Sequence, residues 1–168
     1  SLTFEPRLLF DRQGGLYVAG PNASTNFPYF GANFWEDREV EVFAEFLEPD
    51  GRKGMGHGVG FKIFGGWSRG HPQRSFSLFA RGRYGASELE HRFFPDRPQN
   101  RFQAVNFRNS GNDWEQSLLR DGFMQSLLTD TAIDRQAYRP TVVYFNGQYW
   151  GIHNLREKLN EHYVAGLA

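Results

Sequence analysis

The sequence predicts an α+β domain, an antiparallel sheet with one helix packed on it. Three observations predict it. "EVEVFAEFL" (39–47) alternates charged and apolar side chains, the pattern of a half-buried strand. Asn146-Gly147 joins two aromatic-rich runs, "RPTVVYF" and "QYWGIHNL", and Asn-Gly favours a tight primed turn. Leu118, Leu119, Phe123, Met124, Leu127 and Leu128 recur at helical spacing after Asp113, a natural N-cap.

The elements follow in order. "SLTFEPRLLFDRQGGLYVAG" (1–20) reads as two short extended pieces around Gly14-Gly15, and residues 21–37 as an aromatic loop held down by Phe27, Tyr29, Phe34 and Trp35. Strands are expected at 39–47, 57–66, 74–81 and 101–109, with "GGWSRGHPQ" clasped between the second and third. A helix over about 114–128 comes next, then the hairpin, then a connector helix from Arg156. This order matches the N-terminal lobe of a kinase-like fold, and 168 residues suit one such unit. The expected division is 1–38 for leading strands and aromatic loop, 39–155 for sheet plus helix, and 156–168 for a connector towards a second lobe. The chain opens at "SLTFEP" without a methionine, which fits a segment of a longer protein.

Composition narrows the function. Lys+Arg and Asp+Glu are equal at 19 each, so no global field favours a polyanion and nucleic acid is not an expected partner. Cysteine is absent, which excludes disulfides and thiolate chemistry. No apolar run approaches the roughly 20 residues that cross a bilayer, so no membrane insertion is expected. The five histidines show no metal-binding spacing and no acidic cluster resembles a calcium loop, so no protein-held metal is expected.

Three blocks, "GFKIFGGWSRGHPQRSFSLFARGRYG", "NFRNSGNDWEQSLLRDGFMQSLL" and "YRPTVVYFNGQYWGIHNLREKLNEHY", resemble the spore coat protein H family, also called the CotH kinase family. The resemblance implies an atypical kinase, secreted or at the cell surface, that uses ATP and Mg2+ to phosphorylate Ser or Thr of protein substrates. It also implies that the metal-binding and catalytic aspartates lie beyond this segment, in a C-terminal lobe. Arg74 stands where the family commonly has a phosphate-contacting lysine, and a planar guanidinium does not replace a compact ammonium conservatively.

The candidate site residues follow from these blocks. Gly65 and Gly66 permit close approach to phosphate, while Ser68 and Arg69 add donors. Lys62 offers an ammonium one strand earlier, or a solvated side chain. Asp121, rather than Glu115, is expected to position Arg74 from the helix; the alternative is a solvated Arg120–Asp121 pair. "RNSGNDW" (108–114) reads as a capping network or an anion site at a helix start. His153 and Leu155 are candidates for a nucleotide-reading hinge. Glu157 resembles the family's hinge carboxylate. Two other readings remain: a non-catalytic surface or adhesion domain with the same fold, and a carbohydrate-binding sheet using Trp35, Trp67 and Trp150.

Overall fold

The computed structural model describes residues 1–165. Among them, seven strands close into a barrel in the spatial order β1 (Leu2–Thr3), β2 (Val40–Leu47), β3 (Lys53–Ile63), β4 (Phe76–Phe79), β7 (Ala104–Arg108), β9 (Gln148–Glu157) and β8 (Tyr138–Phe145). Two further strands, β5 (Leu89–Glu90) and β6 (Arg101–Phe102), pair only with each other. Barrel neighbours run antiparallel except β1 and β8, which meet in parallel at Leu2 and Phe145.

The barrel corrects the expected α+β lobe with its packed helix. The predicted 114–128 helix contracts to α2 (Arg120–Ser126), because Leu118 adopts a left-handed backbone angle (φ 61°) that interrupts it. Its apolar set does not pack on the sheet: Leu119, Phe123, Met124 and Leu127 are all more than half exposed. Only Gly122 of this helix is buried, close against the Tyr138 ring. The sheet buries its inner face by curling onto itself. Alternate residues from facing strands fill the interior, with the Phe76 ring stacked on Phe61 and on Phe107 at 4.8 Å each.

Smaller corrections follow from local chemistry. Pro6 sets the first turn of α1 (Pro6–Phe10), where an extended piece was expected. β9 continues through Glu157, and helix resumes only at α3 (Glu161–Ala165). The aromatic loop 21–37 is held down as expected, with Phe34 buried and Trp35 Nε1 donating to the Pro28 carbonyl at 2.9 Å. The Asn146-Gly147 turn forms with both residues at positive φ. Among the described residues, no helix is long and apolar enough to cross a membrane.

One irregularity governs what β9 displays. Gly151 has φ +115°, and the β8–β9 register shifts between Val143 and Tyr144. The bulge breaks strict alternation. Trp150 packs inward against Phe145 and Tyr17, and His153, three residues on, also points inward against Phe76.

Candidate functional site: a cationic hollow on the barrel wall

β3, β4, β7 and β9 lie side by side, and their register places Lys62, Ser77, Asn106 and Arg156 in one row across the wall. Their neighbours Phe61, Ile63, Phe76, Leu78, Val105, Phe107 and Leu155 face the core, so this row belongs to the outer face. Ser77 Oγ donates to Asn106 Oδ1 at 2.7 Å, which fixes the centre of the row.

Asn109, just past β7, holds the two loops above this face. Its Oδ1 accepts from Ser75 Oγ (2.8 Å) and from the Gly111 amide (3.0 Å), while its Nδ2 donates to the carbonyls of Gln73 (2.7 Å) and Ser68 (3.2 Å). The Gly65–Gly70 loop is thereby tied to the 109–113 loop. Asp113 accepts from Ser117 Oγ (2.6 Å) and the Arg120 amide (3.0 Å), bonds that hold its carboxyl below the usual range. Asp113 thus ties the 113–120 turns together, while the N-cap position of α2 is Leu119, which makes no side-chain cap hydrogen bond.

Positive charge collects beneath these loops. Arg108 Nη1 lies 2.9 Å and Arg156 Nη1 3.1 Å from the same Asp121 oxygen. The Arg156 side chain is fully buried, and its Nε has no acceptor. Lys158 reaches over the Phe79 and Phe64 rings at 5.2 and 6.0 Å, and no ion pair engages it among the described residues. Burial first, then the nearby Lys62, lowers the Lys158 ammonium below its usual pKa. Two guanidinium groups therefore share one carboxylate, and Lys158 adds a third cation beside them. Beside them opens a hollow of about 460 Å³, walled by Gly65, Gly66, Ser68, Arg108, Asn109 and Lys158, with no carboxylate in its lining. A second hollow, about 380 Å³, lies on the other side of Lys158 and is walled by Glu157, Asn160 and Tyr163.

The structure brings some of the sequence-derived candidates to this place and keeps others away. Gly65, Gly66 and Ser68 line the hollow. Arg69 turns back to anchor its own loop, donating to the carbonyls of Gly65 (2.7 Å) and Phe34 (3.1 Å). Lys62 pairs with Asp37. Arg74 and Asp121 do not meet: the Arg74 guanidinium lies over the Phe34 ring at 4.0 Å and the Tyr17 ring at 4.8 Å, whereas Asp121 serves Arg108 and Arg156.

His153, Leu155 and Glu157 sit on the inner side of β9. His153 donates from Nε2 to the Arg74 carbonyl (3.1 Å) and accepts at Nδ1 from Gln73 (3.0 Å), and burial lowers its pKa to about 4. Glu157 accepts from the Ala137 amide at 2.7 Å, while burial pushes its pKa up. Sequence reasoning missed Lys158 and Arg156 because it placed a helix from Arg156 onward. Extending the strand alternation past the Gly151 bulge would have put Asn154, Arg156 and Lys158 outside.

The fold and site define a β-barrel domain with a glycine-edged, cationic hollow on its wall. The chain belongs to the CotH kinase protein family, whose model matches residues 61–166, from the last residues of β3 through the hollow and beyond. No curated protein matches the chain.

Proposed function

We propose that this domain supplies the nucleotide-binding wall of an ATP-dependent protein kinase acting on Ser or Thr of secreted or surface proteins. The observation that carries the reading is Lys158, an ammonium without an acidic partner among the described residues, set beside Arg108 under the Gly65–Gly66 loop. Phosphoryl transfer rests on positioning and charge stabilisation of phosphate oxygens, and this hollow offers two cations and several hydrogen-bond donors.

The donor set fits a triphosphate. Lys158 and Arg108 would neutralise phosphate oxygens, and the Gly65–Gly66 backbone would allow close approach. ATP would supply the phosphoryl group. Mg2+ would need ligands from elsewhere, because the hollow has no carboxylate in its lining and no group of three potential metal ligands occurs among the described residues. Lys158 also walls the second hollow, which would receive the ribose or base end of the same nucleotide.

Calorimetric titration of the chain with ATP and Mg2+, alongside Lys158→Ala, tests the reading. Saturable binding that Lys158→Ala weakens at least tenfold supports it. Absence of binding moves the domain to a structural or adhesive role. Transfer of labelled phosphate from ATP to Ser or Thr of a protein acceptor tests the reaction itself.

A further inference from the structure

The loop over residues 21–37 leaves two of its rings out. Tyr29 and Trp35 pack against the core and Phe34 is buried, yet Phe27 and Phe30 are 46% and 53% exposed. Looseness does not explain this. The Ser24 amide donates to the Phe30 carbonyl (2.8 Å), the Tyr29 amide to the Asn26 carbonyl (2.7 Å) and Trp35 Nε1 to the Pro28 carbonyl (2.9 Å), so the loop is pinned on both sides of each exposed ring.

Trp67, 62% exposed, completes the group from the neighbouring loop. Its ring meets those of Phe27 and Phe30 edge-on, with centroids 6.2 and 6.3 Å away. Arg69 joins the two loops by donating to the Phe34 carbonyl (3.1 Å), and the Phe27 ring lies so close to Gly70 that a Cβ there would be 2.7 Å from it. Three exposed rings are therefore held together as one shelf, which a partner can cover without first ordering it. Contiguous exposed rings of this kind mark an interaction surface.

The position of the shelf selects the partner. Trp67 is also part of the wall of the cationic hollow, beside Gly66 and Ser68. An acceptor hydroxyl that reaches phosphate in the hollow brings the residues next to it onto the rim, and Trp67 continues that rim into the shelf. A sugar is a poorer match, because Trp150 packs inside the barrel and the tryptophans form no common stacking platform.

We propose that the shelf of Phe27, Phe30 and Trp67 seats an apolar, preferably aromatic, side chain of the acceptor polypeptide, close in sequence to the Ser or Thr that is phosphorylated. The acceptor role rests on the kinase reading above; the binding of an aromatic peptide does not.

Two labelled peptides that differ only beside their serine test it: Gly-Phe-Gly-Ser-Gly-Phe-Gly and Gly-Ala-Gly-Ser-Gly-Ala-Gly. Fluorescence anisotropy measures the binding of each to the chain, to Phe27→Ser and to Phe30→Ser, and calorimetry measures ATP binding to the same proteins. The phenylalanine peptide should bind about tenfold more tightly than the alanine peptide, and each substitution should remove most of that preference. ATP affinity should stay within about twofold in both variants, which also shows that they are folded. Equal binding of the two peptides, or a preference that both variants keep, overturns the proposal. A dimer that Phe30→Ser abolishes in sedimentation would assign the shelf to a second copy of the chain and overturn it as well. ATP binding without peptide discrimination sinks the shelf alone, whereas peptide discrimination without ATP binding supports the shelf and fails the nucleotide reading.

Discussion

Arg156 lies 3.1 Å from the Asp121 oxygen that Arg108 also holds, so a fully buried guanidinium shares its ion-pair partner with a half-buried one. The arrangement ties α2 to β7 and β9 and leaves the wall positively charged. Asp121→Asn removes the one carboxylate and strands Arg156 as an uncompensated buried cation, which should cost about 3 kcal/mol of stability. Urea unfolding at neutral pH measures it; a loss no greater than that of an ordinary surface substitution would show that Arg156 is stabilised without Asp121.

Arg74 should behave as a packing residue. Its guanidinium covers Phe34 and Tyr17, and burial lowers its pKa. Arg74→Lys keeps the charge but loses the planar stack, and should destabilise by about 1 kcal/mol while leaving the ATP dissociation constant within twofold. Weakened ATP binding at unchanged Tm would instead place Arg74 at the phosphates.

Lys158→Ala should reverse that pattern. Lys158 is half-buried over two rings and has no ion pair to lose among the described residues, so Tm should change little while ATP affinity drops at least tenfold. Lys158→Arg should recover part of the affinity. Calorimetry combined with thermal unfolding separates the two effects.

His153 predicts a pH dependence. Its folded-state pKa of about 4 lies below the ordinary value of 6.5, so between these pH values the unfolded chain binds a proton that the folded chain refuses. The contribution to stability is complete above pH 6.5 and falls by about 3 kcal/mol as the pH drops to 4. His153→Gln should flatten this slope, as measured by urea midpoints from pH 7 to 4; an unchanged slope would assign the acid sensitivity to other groups.

Gly151→Ala should cost about 2 kcal/mol. A Cβ there would lie 3.0 Å from the Gln73 carboxamide, on a backbone at φ +115°. Because Gln73 Nε2 donates to both the Ile152 carbonyl and His153 Nδ1, the substitution should also shift the His153 ring resonances in NMR spectra.

Much of the chain was legible before the structure. The strands at 39–47 and 101–109, the Asn146-Gly147 hairpin and the family resemblance all follow from residues read in order. The fold class was not legible, because alternation marks a strand with one dry face without saying what covers it. Here β1 and β8 bend round to meet, and the sheet covers itself. The helix was misjudged because leucine spacing between 118 and 128 imitates an amphipathic face, whereas Leu118 itself is left-handed. Gly65, Gly66 and Ser68, chosen from their glycine-rich loop, line the hollow. Arg156 and Lys158 were missed because a helix was expected from Arg156 onward, whereas β9 continues through Glu157.

The parallel contact of Leu2 with Phe145 also sets a timetable for synthesis. The ring joins almost the first residue of this sequence to one 143 positions later. At about 5–20 residues per second, the leading strand waits between about 7 and 30 s after its own translation before its second partner is made. Throughout that interval Leu2 and the inner face of β2 remain uncovered on a growing chain, which makes the leading segment the part most in need of protection by the ribosome surface or a chaperone.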